Sequence, residues 1–323
     1  MTPVVYLTCP LPESRTAPLA NHCQLHSDEA GAYLTARSAP AILADCRGLI
    51  CLLTDRVDRA LLQKMPALEF VSSVSVGVDH VDVAALTERG IPLGHTPGVL
   101  VDATADTAFA LLLAAARRVP ESDRFIREGN WRPERRWSPD FFLGRDLAGA
   151  TLGILGMGAI GRAVARRAAG FGMQVIGWNR TPREVDGIAS VSMDELLGRS
   201  DYLSVHVALT DDTRDLLDAT RIALMKPGAV LINTARGGIV DEAALAAALD
   251  SGHLWAAGLD VFANEPLEAQ SPLLANPKVV LTPHLGSATS ATRGAMVDLA
   301  IANAVAALQG QRMPHCVNPQ VYD

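Results

Sequence analysis

Short apolar runs alternate along the chain with segments whose apolar residues recur at helical spacing. In the first third, residues 4–7, 48–53 and 68–76 form such runs and predict strands. Residues 81–90, which follow the third run, have the spacing of a helix, with Gly90 as its stop signal. Because strands alternate with helices, the pattern predicts a parallel sheet covered by helices.

The alternation restarts at Thr151 and is more regular from there. Six apolar runs follow one another, with helical segments between most of them. A doubly wound dinucleotide-binding domain needs this number of strands. The runs are TLGILG (151–156), MQVIGWN (173–179), YLSVHV (202–207), AVLINT (229–234), AAGLDVF (256–262) and VVLTPH (279–284).

Three further segments suggest how the two halves are joined. Residues 102–118 are rich in Ala and Leu and predict a long helix, and an Arg- and Trp-rich excursion follows at 120–146. The helical pattern of 290–308 comes after the last strand and is long enough to return to the first half. We therefore predict an α/β fold with two Rossmann-like parallel-sheet lobes, the first formed by residues 1–100 and 288–323 and the second by 101–287.

Composition and charge narrow the class of function. The chain has 323 residues, of which 49% are apolar, so two domains of roughly 150 residues can each have a core. The formal net charge of −7 argues against binding to nucleic acid or to an anionic membrane. Small-molecule chemistry is therefore the leading class.

The cysteines and the N-terminus indicate a cytoplasmic protein. The five cysteines are odd in number and form no C-x-x-C motif, which argues against disulfides and a metal site. No basic segment precedes the apolar residues of the N-terminus, as a secretory signal would require. The longest apolar run, residues 108–116, is shorter than the roughly 18 residues that suggest a membrane span. The cysteines are Cys9, Cys23, Cys46, Cys51 and Cys316.

A glycine-rich turn follows the first strand of the second half. Gly156, Gly158 and Gly161 form G-x-G-x-x-G, with Ala159 and Ile160 opening the next helix. The first glycine permits a tight turn, the second admits a pyrophosphate to the backbone, and the third lets helix and strand pack closely. The alternative is a strand-to-helix turn without a ligand. The context favours a dinucleotide whose pyrophosphate lies at the helix N-terminus.

The end of the next strand indicates which dinucleotide is bound. NAD-binding folds place an acidic residue about 20 residues after the glycine turn to bind the adenosine ribose. Here Asn179 stands at that place, and Arg180, Thr181 and Arg183 follow. Guanidinium groups suit a 2′-phosphate, so NADP(H) is favoured, while NAD(H) is possible. The alternative is that these arginines are solvated loop charges.

Three residues with useful chemistry each follow a later strand of the same predicted sheet. They are Arg236, Glu265 and His284. A guanidinium can bind a carboxylate and polarise a carbonyl, and an imidazole held by a carboxylate can donate a proton near neutral pH. Such a set is suited to the reduction of a 2-oxo acid by a nicotinamide. The alternative is a structural ion pair between Arg236 and Glu265.

Several motifs in one order resemble the D-isomer-specific 2-hydroxyacid dehydrogenase family. The likeness is closest to the glyoxylate/hydroxypyruvate and 2-ketogluconate reductases. It implies a flavodoxin-like substrate lobe, a coenzyme lobe, an active site in the cleft between them and a homodimer formed by the coenzyme lobes. The motifs are SVGVDHVD (75–82), HTPGVLVDATADTAFALLLAAARR (95–118), GMGAIG (156–161), INTARGGIVDE (232–242), AAGLDVFANEP (256–266), PHLGS (283–287) and CVNP (316–319).

The resemblance also implies a role for each matching residue. Arg236 would bind the substrate carboxylate and carbonyl, His284 would donate the proton, and Glu265 would hold His284. The backbone N–H groups of Val76 and Gly77 would bind the other carboxylate oxygen.

Further positions are implied for the coenzyme and for the partner subunit. Asp260 and Thr234 would line the nicotinamide, and Thr104 would meet the coenzyme. Phe141, beside Phe142, would lend an aromatic ring to the pocket of the neighbouring subunit. His206 ends a strand, so either an adenosine contact or a structural role is open, whereas the remaining histidines are interpreted as surface or packing residues.

Two classes of function remain open. One is an NADPH-preferring reductase of glyoxylate, hydroxypyruvate or 2-ketogluconate, or a family member with another substrate. The other is a nicotinamide-sensing regulatory protein, because transcriptional corepressors resemble the same family. By the same resemblance, a formate dehydrogenase would have Gln in place of Glu265, and a phosphite dehydrogenase would have Lys in place of Val76. Both activities are therefore disfavoured. The arginines of 120–146 could suggest RNA binding, but interleaved acidic residues favour a solvated or dimer-facing surface.

Overall fold

A computed structural model describes residues 2–27, 33–181 and 185–323. The chain forms two compact units, Met1–Leu100 with Thr289–Asp323, and Val101–Ala288. It returns to the first unit at Thr289, one residue later than the sequence-based division. The Arg-rich excursion at 120–146 lies wholly within the second unit.

The described strands and helices are as follows, in chain order. The strands are β1 (Val4–Leu7), β2 (Gln24–Ser27), β3 (Cys46–Cys51), β4 (Phe70–Ser73), β5 (Leu93–Gly94), β6 (Thr151–Leu155), β7 (Gln174–Trp178), β8 (Ala189–Ser190), β9 (Tyr202–Val205), β10 (Val230–Asn233), β11 (Ala256–Leu259) and β12 (Val279–Leu281). The α-helices are α1 (Glu13–Ala20), α2 (Arg59–Gln63), α3 (Val83–Glu88), α4 (Val101–Arg117), α5 (Val119–Arg127), α6 (Ala159–Gly170), α7 (Met193–Arg199), α8 (Ala219–Leu224), α9 (Glu242–Asp250), α10 (Pro272–Ala275) and α11 (Ser290–Leu308). Short 3₁₀ helices span Ala41–Asp45, Pro133–Arg135, Gly237–Ile239 and Pro319–Tyr322.

The first unit contains a five-stranded parallel sheet in the order β2-β1-β3-β4-β5. The three predicted runs became β1, β3 and β4, and their central residues are buried. Strand β4 ends at Ser73, so the residues from 74 onward leave the sheet at its carboxyl edge.

Helix α11 is the one described helix that is long and apolar enough to cross a membrane, judged by length and composition alone. In the first unit it packs against α1 and β4. Ser72 of β4 donates a hydrogen bond of 2.9 Å to the carbonyl oxygen of Ala300 in this helix. Burial against a sheet is what a core helix of a folded unit shows.

The second unit contains a seven-stranded parallel sheet in the order β12-β11-β10-β9-β6-β7-β8. Adjacent residues of β10 serve different cores, because Leu231 belongs to one apolar cluster and Ile232 to another. Both faces of the sheet are thus covered, as parallel sheets require. The strand order reverses between β6 and β9, and ligands of such folds bind beside the carboxyl ends of the strands at that point.

Candidate active site

The three glycines after β6 meet three different environments. Gly156 has a φ of +105°, and a Cβ there would lie 2.7 Å from the carbonyl carbon of His206. A Cβ on Gly161 would lie 2.1 Å from the carbonyl oxygen of Gly156. A Cβ on Gly158 would meet no atom within 4 Å. Packing therefore requires the first and third glycines, while the second leaves open space in front of the backbone at the start of α6, where Ala159 and Ile160 follow.

A cavity of about 380 Å³ adjoins this turn. Asn179 closes one side, and its Oδ1 accepts a hydrogen bond of 2.7 Å from the Met157 N–H. Arg180 forms an exposed ion pair of 3.0 Å with Asp212. Arg183 lies outside the described residues. The lining comprises Gly156, Gly158, Trp178, Asn179, Arg180, Thr181, His206, Val207, Ala208, Thr210, Asp212, Thr213 and Leu216.

His206 contributes to this cavity, and its ring is held by a neighbouring hydroxyl. Its Nε2 lies 2.7 Å from the hydroxyl of Ser204. Burial lowers the pKa of His206 to about 3, so the imidazole is neutral at physiological pH. Its backbone also occupies the space that a side chain at Gly156 would need. His206 thus packs against the glycine turn and lines the cavity, and the adenosine contact stays a prediction.

Glu265 and His284 come together at the carboxyl edge of the sheet. Nδ1 of His284 lies 2.8 Å from Oε2 of Glu265. The other carboxylate oxygen, Oε1, accepts a hydrogen bond of 2.9 Å from the backbone N–H of Phe262. His284 has a φ of +54°, and its backbone N–H donates to the carbonyl oxygen of Asp260 at 2.9 Å. The imidazole is therefore held from its backbone and from one ring nitrogen.

Glu265 is the charged partner in this pair. Partial burial raises its pKa, but the hydrogen bond and charge of His284, the Phe262 N–H and the charge of Arg236 together outweigh it and leave the pKa lowered. An ionised carboxylate only accepts hydrogen bonds, so Nδ1 of His284 is the donor. Nε2 is then the ring nitrogen available for proton exchange with a ligand.

Arg236 follows β10 in a turn that its neighbours determine. The buried side chain of Asn233 accepts a hydrogen bond of 3.0 Å from the Ala235 N–H and donates one of 2.9 Å to the Arg236 carbonyl oxygen. A Cβ on Gly237 would lie 1.8 Å from the carbonyl carbon of Phe262. Only glycine therefore allows the turn that carries Arg236 to pack against the backbone leading to Glu265.

Asp260 is buried and holds the segment that carries His284. Its Oδ1 accepts hydrogen bonds of 2.6 Å from both the Thr282 hydroxyl and the Leu285 N–H. Its Oδ2 accepts one of 2.8 Å from the Gly286 N–H. The Asp260 carboxylate thus binds residues on both sides of His284. The sequence-based prediction for Asp260 was a contact with the nicotinamide and did not include this structural role.

The two threonines expected near the coenzyme are both buried. Thr104 lies on α4, and a Cβ on Gly286 would be 3.4 Å from its methyl group. The hydroxyl of Thr234 is buried without a hydrogen-bond partner among the described residues. An unsatisfied hydroxyl just after β10 fits a site that a polar ligand completes.

The other predicted substrate residues lie elsewhere in their units. Val76 and Gly77 follow β4 in the first unit. Phe141 packs with Phe125 and Phe142 on the excursion of the second unit, with ring centroids 4.9–5.8 Å apart.

Sequence reasoning missed Asn233, Thr282 and Asp212. A signal existed for the first, because an amide inside the apolar run AVLINT has to find partners when it is buried. Thr282 and Asp212 act through neighbours that only the tertiary structure reveals. Among the described residues, no group of His, Cys, Asp and Glu could hold a metal ion.

Comparisons with known proteins identify relatives of this chain. Residues 109–286 match the family model described as D-isomer specific 2-hydroxyacid dehydrogenase, NAD binding domain. Glyoxylate/hydroxypyruvate reductase B of Shigella boydii is 44% identical over 328 residues, covering 100% of both chains. Glyoxylate reductase of Korarchaeum cryptofilum is 42% identical over 325 residues, covering 99% of this chain and 97% of the relative.

A solved structure has the same fold over nearly the full length. It is an NADPH-dependent glyoxylate/hydroxypyruvate reductase of Sinorhizobium meliloti in complex with NADP and malonate, 34% identical with a TM-score of 0.89. The match covers 99% of this chain and 98% of that one. The chain therefore belongs to the D-isomer-specific 2-hydroxyacid dehydrogenase family, as a nicotinamide-dependent oxidoreductase that acts on CH–OH groups.

Proposed function

We propose that the protein is an NADPH-preferring 2-oxoacid reductase that converts glyoxylate, hydroxypyruvate or 2-ketogluconate to the 2-hydroxy acid. The contact of 2.8 Å between Glu265 and His284 is the observation that carries this proposal. It supplies a general acid beside a sheet edge that also bears Arg236. Glyoxylate and hydroxypyruvate are the substrates named for relatives of this chain.

Each residue has a task in the reduction. When bound, the reduced nicotinamide supplies the hydride that adds to the carbonyl carbon. Arg236 binds the carboxylate and polarises the carbonyl. Nε2 of His284 gives its proton to the carbonyl oxygen, which becomes the hydroxyl group, and Glu265 stabilises the imidazolium before this transfer.

Backbone groups and buried threonines complete the proposed assignment. The N–H groups of Val76 and Gly77 in the first unit bind the second carboxylate oxygen. The second unit binds the coenzyme through the glycine turn, whose Gly158 faces open space, and through Thr104, Thr234 and Asp260.

NADPH preference rests on the cavity beside the glycine turn. Asn179 presents an amide where an acidic residue would repel a 2′-phosphate, and Arg180 lines the same cavity. The S. meliloti relative is NADPH-dependent by name. NAD(H) remains the weaker coenzyme in this proposal.

A homodimer is proposed from the surface of the second unit. A groove of about 680 Å³ runs between α5 and β12, lined in part by Phe125, Phe142 and Leu274. Trp131 and Trp137 on the same excursion are 62% and 78% exposed. A groove lined by aromatic and apolar side chains, in a segment that also exposes two tryptophans, is typical of an interaction surface, and a second copy of this chain is the occupant we propose. In light scattering we expect a dimer, and a monomer at micromolar concentration would contradict it.

A cytoplasmic location is proposed from the thiols. All five cysteines are free. Burial raises the pKa of Cys23 and Cys46 to about 11, so these thiols stay protonated and unreactive. Cell fractionation tests this location.

The test of function is a comparison of coenzymes and substrates. Oxidation of NADPH and NADH is followed with glyoxylate, hydroxypyruvate and 2-ketogluconate in parallel, and kcat/KM is obtained for each pair. We expect NADPH-dependent turnover with at least one of the three. Absence of turnover together with NADPH binding would contradict this substrate assignment and favour another oxo acid or a nicotinamide-sensing role.

A further inference from the structure

Three successive carbonyl groups of the first unit are held at the end of β4. The Ser75 carbonyl oxygen accepts a hydrogen bond of 2.8 Å from the Thr96 N–H. Nδ1 of His95 lies 3.1 Å from the Val76 carbonyl oxygen. The Ser75 hydroxyl donates a hydrogen bond of 2.7 Å to the Gly77 carbonyl oxygen. Backbone and side-chain donors thus anchor three consecutive peptide groups.

Anchoring a carbonyl also orients an N–H group. In a trans peptide the C=O of one residue and the N–H of the next point in opposite directions. The three anchors therefore direct the N–H groups of Val76, Gly77 and Val78 away from the groups that hold the carbonyls. Those N–H groups donate no hydrogen bond to the described residues, and the three residues are only partly buried. Successive N–H groups presented in this way form anion sites.

The serine anchor is the last member of a directed chain of hydrogen bonds. The Ser75 hydroxyl has one proton, which goes to the Gly77 carbonyl oxygen, so Ser75 accepts from Ser73 at 2.7 Å. Ser73 in turn accepts from Nε2 of His80 at 3.0 Å. Ser73 and Ser75 are both buried. The direction of each hydrogen bond is therefore determined from His80 to the loop.

The backbone of His95 is itself held by two hydrogen bonds. The His95 N–H donates to the His315 carbonyl oxygen at 3.1 Å. The His95 carbonyl oxygen accepts a hydrogen bond of 3.0 Å from the buried amide of Asn303. A carbonyl oxygen only accepts, so Nδ1 of His95 carries the proton in its contact with Val76.

We infer that His95 and Ser75 are positioning residues that hold the N–H groups of residues 76–78 in the orientation that binds the substrate carboxylate. The inference rests on the proposed function, in which this loop binds that group. Donors that are fixed before binding lose little conformational freedom when the ligand arrives. Loss of an anchor should therefore weaken carboxylate binding without affecting coenzyme binding.

The experiment removes each anchor and measures substrate and coenzyme binding separately. His95→Leu and Ser75→Ala should each raise KM for glyoxylate or hydroxypyruvate by about five- to tenfold, because one neutral hydrogen bond is lost. The KM for NADPH should stay within about twofold, because the proposed coenzyme contacts lie in the second unit. His95→Asn should restore most of the affinity, since its side-chain amide can reach the position of Nδ1.

Ser72→Ala is the matched control for the serine. Ser72 is equally buried on β4, but its hydroxyl bonds to Ala300 in α11 rather than to the loop. Its KM values should remain those of the wild type. An equal rise in KM for Ser72→Ala, or no rise for His95→Leu and Ser75→Ala, would overturn the inference.

Oxalate binding measured by calorimetry separates this inference from the proposed function. The wild type should bind oxalate, and His95→Leu and Ser75→Ala should bind it about five- to tenfold more weakly. Turnover and oxalate binding that are unchanged in the variants would refute the positioning role alone. A wild type that neither reduces 2-oxo acids nor binds oxalate would refute the proposed function and this inference with it.

Discussion

Nδ1 of His284 lies 2.8 Å from Oε2 of Glu265, while Oε1 of the same carboxylate accepts a hydrogen bond of 2.9 Å from the Phe262 backbone. Both oxygens of the Glu265 carboxylate are therefore restrained. The contact with Oε2 in turn orients the His284 ring. In the proposed function, the other ring nitrogen, Nε2, is the proton donor to the substrate.

Replacing Glu265 with Gln should lower kcat about 10²-fold, because the protonated imidazole loses its charged partner. Steady-state kcat of both proteins with a saturating oxo acid measures this.

His284→Gln should lower kcat about 10²- to 10⁴-fold, and a variant within a few-fold of wild type would exclude His284 as the acid.

The same carboxylate should make stability depend on pH. The pKa of Glu265 is below its ordinary value of 4.5 in the folded chain. Its ionised form therefore stabilises the fold above that pH, and this contribution is lost as the pH falls through the folded pKa. Urea unfolding of wild type and Glu265→Gln at neutral and acidic pH should show a smaller difference at acidic pH. A difference that grows on acidification would contradict the direction of the shift.

Gly237→Ala should disturb Arg236 although it removes no functional group. The added Cβ would lie 1.8 Å from the Phe262 carbonyl carbon, so the turn must move. We expect kcat/KM for the oxo acid to fall at least about tenfold, since small displacements of a binding group are costly. Gly238→Ala is the control, because its Cβ would come no closer than 3.4 Å to another residue. Equal losses in both variants would mean that the packing at Gly237 is not the cause.

Asp260→Asn should destabilise the protein and reduce kcat. The amide would place an NH₂ group against donors that now bind a carboxylate, at a cost of about 3 kcal/mol. Denaturant unfolding measures the loss of stability, and steady-state kinetics measures the fall in kcat. Thr282→Ser keeps the hydroxyl bonded to Asp260 and should have little effect. A fully stable and active Asp260→Asn would contradict the role of this carboxylate in holding His284.

Coenzyme choice should respond to Asn179→Asp. The new carboxylate can still accept the hydrogen bond from Met157, so the glycine turn is retained while a negative charge is added. We expect the ratio of kcat/KM for NADPH to that for NADH to fall about tenfold or more through repulsion of the 2′-phosphate. An unchanged ratio would refute the proposed NADPH preference at this position.

Asp212→Asn should act in the opposite direction. Its carboxylate is paired with Arg180 at 3.0 Å, and the pair is exposed. Removing the charge leaves the guanidinium free for a 2′-phosphate, so the NADPH to NADH ratio should rise about threefold, as expected for an exposed pair. Asp211→Asn makes the same change of charge next to it, outside the cavity lining. If both variants shift the ratio equally, the effect comes from overall charge rather than from the pair.

The α/β class and the main strands could be predicted from the sequence because buried parallel strands are continuous apolar runs. All six runs of the second half became strands. Two edge strands, β2 and β8, were missed, because they are short, largely polar and partly or fully exposed. These two strands are defined only by backbone hydrogen bonds to their neighbours, which the pattern of apolar and polar side chains does not reveal. A third edge strand, β5, was missed for another reason: its two residues are buried, but they are too few to form a recognisable apolar run.

Site residues could be predicted from the sequence where the residue type and its position after a strand were enough to indicate a chemical role. The spacing after each strand was enough to bring Glu265 and His284 to one edge, since carboxyl ends of parallel strands share that edge. The partners of Asp260 were not predictable, because they depend on how the segment 282–286 folds back over β11. His95 was interpreted as a surface or packing residue, and its contact with Val76 depends on the same kind of long-range approach.

Arg236, Glu265 and His284 follow three neighbouring strands of one sheet, β10, β11 and β12, in one compact unit. Glu265 and His284, the pair proposed for proton transfer, thus belong to one unit, whereas the loop proposed to bind the substrate carboxylate belongs to the other. Under the proposed function, substrate affinity and proton donation are therefore open to change by separate mutations.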